Sequence, residues 1–150
     1  MRRRVVGTGI GSVNPMGHDV ETVWKGLKEC QSGVGATTVF DASSFPTQIS
    51  AEVKEWSIGS VGEDPEDWKH RGRHTRFAAG AARQAVDGSG VLDSELEPTR
   101  FGVYLGSGEG HQDFESFTKM MASALQGDEL DVAQFTKTGL EILNPMDELE

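Results

Sequence analysis

Apolar and polar positions along the chain follow two rhythms, one of short apolar runs and one of helical stripes. Between Arg3 and Thr8 two valines run together into a glycine cluster, VVGTGIGSV, which is the pattern of a short buried strand halted by glycines. Asn14-Pro15 signals a turn. Asp19 then offers an N-cap oxygen, and Val20, Val23, Trp24 and Leu27 recur at helical spacing until Ser32-Gly33 closes the segment. Thr37 to Phe40 and Ile49 to Val53 read as short extended pieces separated by DASSFP, and Gly59 to Asp67 reads as an acidic, turn-rich surface stretch. The alanine-rich run RHTRFAAGAARQAV predicts a helix over Arg73 to Val86 despite Gly80. FGVYL, Phe101 to Leu105, predicts a second buried strand that runs into GSGEG. A helix is expected from Asp113 to Leu125, with Phe114, Phe117, Met120, Met121 and Leu125 on one side, and another from Val132 to Leu143. Strands separated by helices predict an α/β layer architecture with a largely parallel sheet. Such a sheet is covered on both faces, so these few strands read as part of a larger unit.

Composition narrows the function classes. The 150 residues carry a formal net charge of -10, which argues against broad nucleic-acid binding, because neutralising phosphates needs a basic face. The single cysteine, Cys30, excludes an internal disulfide and suits a reducing, cytoplasmic setting. No apolar run reaches the roughly 18 residues of a membrane helix, and the two valines after Arg2-Arg3-Arg4 are too short for a secretory signal. Neither a nucleic acid nor a membrane is expected as a partner.

The motifs give mixed signals. A dinucleotide fingerprint needs GxGxxG opening directly into a helix, with an acid about 20 residues on. Here Ser12 replaces the third glycine, Asn14-Pro15 delays the helix, and Asp41 comes too late. A tight turn with close backbone packing is the better reading. GSGEG, Gly106 to Gly110, lacks the lysine and Ser/Thr of a phosphate loop and does not centre a nucleophile elbow; a substrate-channel lining and a structural turn stay equally open. Cys30 falls at the C-terminal end of the first helix, where the dipole disfavours a thiolate, and reads as a partly buried structural thiol. His70 and His74 stand four apart without a completing acid, with Gly72 between them, and His111 with Asp113 is no stronger; no metal and no cofactor are expected. KHRGRHTR, residues 69 to 76, reverses the charge of an acidic protein. It reads either as a solvated helix start or as a dock for an acidic partner.

Four segments in order, RRRVVGTGIGSVNPMGHDVETVWKGLKECQSGV, FDASSFPTQISAEV, RHTRFAAGAARQAV and RFGVYLGSGEG, resemble the N-terminal part of the β-ketoacyl-[acyl-carrier-protein] synthases of type II, condensing enzymes of the thiolase superfamily. The resemblance runs from Arg3 to about Gly110 and fades afterwards. It implies a thiolase-like fold of αβαβα layers, of which residues 1 to 150 are an incomplete N-terminal portion without separate domains, ending before the nucleophile. It further implies an acyltransferase that joins an acyl-enzyme thioester to malonyl carrier protein in fatty acid or polyketide elongation, as a cytoplasmic homodimer.

The family's catalytic cysteine and two histidines lie downstream of the matched region, so no catalytic residue is expected here, and Cys30 matches none of them. The loop matching GSGEG borders the acyl pocket in the family, which assigns Gly108 and Glu109 to that pocket. Glu109 stands where the family usually has an apolar residue, and an unpaired carboxylate beside a fatty chain is costly. The carrier protein is acidic, and the resemblance assigns its docking to Lys69, Arg71 and Arg73. Gly72 and His74 depart from the usual Asp and Phe of this stretch. Two rival readings remain: a chain-length-factor-like partner that keeps the fold without the nucleophile, and a small-ligand or nucleotide-binding module.

Overall fold

The computed structural model describes residues 4–106, 108 and 114–143. They form two compact units, one running to Lys69 and resuming over Arg73–Val103, the other comprising His70–Gly72 and the chain from Tyr104 onward.

In the first unit, helix α1 spans Val20–Lys28. Asp19 caps it by accepting from the Thr22 amide at 2.7 Å and the Thr22 hydroxyl at 2.8 Å, and the backbone N–H bond holds the Asp19 carboxyl below the usual carboxylate range. The helix closes where the Gln31 N–H reaches back to the Gly26 carbonyl at 2.9 Å, with Cys30 in the left-handed region at φ 54. Cys30 is exposed, not partly buried, because that turn swings it off the apolar side of α1.

Strands β1, Val34–Ala36, and β2, Ile49–Ala51, pair as an antiparallel hairpin in the register Val34 to Ala51 and Ala36 to Ile49; β2 falls within the expected piece from Ile49 to Val53, whereas the expected piece from Thr37 to Phe40 lies after β1 and is not a strand. Thr37 extends the ladder by donating to Gln48 at 3.0 Å. The acidic stretch forms two 3-10 turns, Ile58–Val61 and Pro65–Trp68. Helix α2, Arg73–Ser89, follows, and the first of those turns packs on it. Ile58 is buried, and Trp56 meets Phe77 edge-on at 5.2 Å.

The opening glycine cluster is explained by α2. A Cβ on Gly9 would lie 2.0 Å from the Ala85 carbonyl oxygen, and one on Gly11 would lie 1.8 Å from that of Ala81. These glycines therefore let the chain lie directly on the helix backbone. Gln84 of α2 secures the same passage at two points: its Oε1 accepts from the Ser12 N–H at 3.1 Å, and its Nε2 donates to the His18 carbonyl at 2.6 Å. Between them Asn14 and Gly17 exchange both backbone hydrogen bonds, closing the turn that Asn14-Pro15 predicts.

The second unit is a helical hairpin. Helix α3, Phe114–Ala124, leads into β3, Leu125–Gln126, which pairs with β4, Glu129–Leu130, around Gly127 at φ 65; helix α4, Val132–Ile142, follows, capped by Asp131. Met120 and Ala124 of α3 are buried, and Gly139 of α4 gives the Met120 side chain its place; Phe117 and Phe135 stack edge-on at 6.3 Å. Of the five residues expected on one side of α3, only Met120 is enclosed, while Phe114, Phe117 and Leu125 are exposed.

Two expectations require correction. Residues 4–8 and 101–105 are not strands: they pair with no described segment, with Val5 89% and Tyr104 97% exposed. Both described sheets are two-stranded and antiparallel, not parallel. A strand exists only through the ladder its neighbours complete, and among the described residues no segment pairs with either run. The apolar character of these runs is what the sequence pattern detects.

Candidate functional site

The basic stretch sits at the entrance to α2. Lys69 follows the Pro65–Trp68 turn and is exposed, its ammonium 3.2 Å from the Glu66 carboxylate, an exposed pair of little energetic weight. Arg71 is exposed and Gly72 buried. Arg73 opens α2 and is anchored: its guanidinium donates to the Val53 carbonyl at 2.9 Å and stands 5.6 Å from the centre of the Phe77 ring. The first turn of α2 holds no acid. Cations there stand against the helix dipole, so their placement gains the helix no stability.

His70 lies in the turn before α2 and His74 within its first turn, so the two do not form an i, i+4 pair on one helix. Among the described residues no group of three His, Cys, Asp or Glu side chains is placed to hold a metal ion. His111 and Asp113 lie outside the described residues.

Beside Arg73 and His74 opens a cleft of about 610 Å³ between the β1–β2 hairpin and α2, with Val39, Phe40, Ile49 and Phe77 among its walls. Sequence reasoning missed it, because its walls come from three segments whose apolar residues fit no single stripe. Glu52 sets the shape of its hairpin wall. Its carboxylate accepts from the Thr38 hydroxyl at 2.7 Å, the Thr38 N–H at 2.8 Å and the Ser50 hydroxyl at 2.8 Å. Those bonds, the Thr38 hydroxyl first, hold the Glu52 carboxyl down at about 2. Lys54 lies 3.6 Å away. No sequence motif announces Glu52; a carboxylate flanked by Ser50 and facing Thr37-Thr38 across a hairpin is the only trace.

A second cleft, about 500 Å³, lies between the start of α1 and the same hairpin, with His18, Asp19, Glu52 and Lys54 on its rim. Its carboxylates are taken up by Thr22, Thr38 and Ser50. Of the two residues assigned to an acyl pocket, Gly108 is exposed and a Cβ there would meet nothing within 4 Å; Glu109 lies outside the described residues.

Comparison with known proteins now bears on these features. Residues 2–143 match the family model described as "Beta-ketoacyl synthase, N-terminal domain". The 3-oxoacyl-[acyl-carrier-protein] synthase 2 of Coxiella burnetii is 44% identical over 109 residues, covering 73% of this chain and 26% of the relative. Its Vibrio harveyi counterpart is 37% identical over 112 residues, covering 75% of this chain and 27% of the relative. Among solved structures, the ishigamide ketosynthase/chain length factor is 37% identical with a TM-score of 0.53, covering 60% of this chain and 22% of that one. The chain thus spans about a quarter of the length of the curated relatives it matches.

Proposed function

The chain belongs to the β-ketoacyl synthase family as an N-terminal portion of a thiolase-like fold, and from that premise we propose that it is part of an acyltransferase that elongates acyl chains with malonyl carrier protein. In that reaction a carbon–carbon bond forms between the acyl carbonyl and the malonyl Cα as CO₂ leaves, and the enzyme thiol is released. The observation that carries the reading is the family match over residues 2–143. This chain's own contribution is recognition and lining. Lys69, Arg71 and Arg73 receive the acidic carrier protein, and Gly108 and Glu109 border the acyl pocket. Cys30 sits exposed past the C-terminal end of α1, where the helix dipole disfavours a thiolate, and the 150 residues alone are catalytically inert. The working protein is a cytoplasmic homodimer.

Mass spectrometry of the full-length protein incubated with acyl and malonyl carrier proteins tests this. The expected product is the 3-oxoacyl carrier with one CO₂ per turn. Carrier binding without product favours a second reading, a chain-length-factor-like partner, which the likeness to a ketosynthase/chain length factor supports. Turnover by the isolated 150 residues contradicts the division of labour.

A further inference from the structure

We propose that the small cavity between the Ile58–Val61 turn and the first turn of α2 binds a small oxyanion, a phosphate or a carboxylate, on the guanidinium of Arg76. This site stands apart from the condensing reaction and from carrier docking.

The cavity measures about 100 Å³, several times what a single water needs and too little for a chain-like ligand. Trp56, Ile58, Pro65 and Phe77 give it apolar walls, fixed by the burial of Ile58 and the edge-on packing of Trp56 on Phe77. Arg76, half-buried, lines it from α2. Among the described residues its Nε is the one buried side-chain nitrogen or oxygen without a hydrogen-bond partner. A buried donor without an acceptor has given up its hydration for no return, and on a cation that loss is larger. Arginine keeps its charge, so it cannot escape the cost by losing a proton.

The surrounding side chains do not supply the acceptor. No carboxylate lines the cavity, and the acids of the neighbouring turn are engaged elsewhere, Glu63 with Arg83 at 3.9 Å and Glu66 with Lys69 at 3.2 Å. Arg73 shares the lining, but its guanidinium is spent on the Val53 carbonyl and the Phe77 ring, so binding is not assigned to it. Ser57 adds a donor. Its Oγ accepts from the Gly59 N–H at 3.3 Å and its carbonyl accepts from the Ser60 N–H and hydroxyl, which leaves its own O–H to offer. The lining side chains therefore present donors and positive charge between apolar walls. A water satisfies the Nε–H and leaves the charge uncompensated. An oxyanion does both, since paired oxygens match a guanidinium edge and the apolar walls strengthen the contact.

The test uses the full-length protein labelled with 5-fluorotryptophan, the Trp56 fluorine signal being assigned by its loss in Trp56→Phe. Inorganic phosphate and, separately, acetate replace chloride at constant ionic strength. The expected result is a saturable shift of the Trp56 signal with a midpoint on the order of 1 mM, as a few charge-assisted hydrogen bonds allow. Phosphate acting alone assigns the site to a phosphate group, and acetate acting alone to a carboxylate. Arg76→Gln is expected to raise the midpoint roughly tenfold or more, and Arg76→Lys, which keeps the charge without the planar fork, falls between. The Trp24 and Trp68 signals report whether a variant has kept its fold, and Arg76→Lys carries the comparison if Arg76→Gln has not. A wild-type signal that shows no saturable shift up to about 50 mM of either anion overturns the proposal without any variant. An unchanged midpoint in a folded Arg76→Gln protein, or an equal shift produced by chloride, reveals a general effect of surface ions and overturns it as well.

Discussion

Replacing Gly11 by alanine adds one methyl group at the point where the chain lies on α2. That carbon would sit 1.8 Å from the Ala81 carbonyl oxygen, 2.7 Å from its carbon and 3.0 Å from the Ala85 nitrogen, whereas ordinary contact begins at 3.4 Å. The obstacle is helix backbone, which cannot rotate aside as the end of a methionine can. The passage must lift away to relieve the overlap, straining both hydrogen bonds to Gln84. Overpacking of a core costs about 1–3 kcal/mol, and a backbone obstacle places this substitution at the upper end, about 3 kcal/mol. Urea unfolding followed by far-ultraviolet circular dichroism reads the cost directly: with a slope of about 2 kcal/mol/M, the midpoint falls by roughly 1.5 M. Gly7→Ala is the control. No atom lies within 4 Å of its added carbon, and the restricted unfolded chain is expected to raise stability by about 0.4–1 kcal/mol. A Gly11→Ala midpoint indistinguishable from wild type, or an equal loss at Gly7, refutes the close-approach explanation of the glycine cluster.

Other outcomes follow from the same structure. The Glu52 carboxyl lies at about 2 in the folded protein against an ordinary 4.5, so its stabilising contribution is fully present above pH 4.5 and is lost as pH falls through about 2. Thr38→Val removes the foremost cause of that depression. The variant is expected to melt below wild type at about pH 6, with the gap narrowing towards about pH 2; a gap of constant size contradicts the assignment. Glu109→Ile in the full-length protein is expected to shift product length towards longer acyl chains, read by mass spectrometry, and an unchanged distribution counts against a place for Glu109 beside the acyl chain.

The helices are legible in the sequence because their signals are local. Asp19 with the Val20, Val23, Trp24 and Leu27 spacing marks α1, the alanine-rich run marks α2, and α3 and α4 fall within a residue or so of their expected bounds. Of the two expected extended pieces only the second is a strand, β2; β1 is Val34–Ala36 and ends before the Thr37 to Phe40 run at which the apolar pattern places a strand. VVGTG and FGVYL carry the composition of strands, yet a strand is completed by neighbours that periodicity does not name. Asn14-Pro15 separates the glycine cluster from nucleotide binding in the sequence alone. What the cluster is for needs α2, far downstream in the chain. Of the basic stretch, Lys69, Arg71 and Arg73 stand out in the sequence as a charge reversal. The apolar recess beside Arg73 does not, because Val39, Ile49 and Phe77 come together only through the fold of the hairpin onto α2.

The most direct test of the account is the affinity of the full-length protein for holo acyl carrier protein, measured between about 50 and 300 mM salt for wild type and for Lys69→Glu with Arg71→Glu. Screening shortens the reach of exposed charges over this range, so wild-type affinity is expected to fall roughly tenfold, while the charge-reversed protein binds weakly throughout with a nearly flat response. Equal affinities and equal slopes for the two proteins would contradict the claim that this basic stretch receives the carrier.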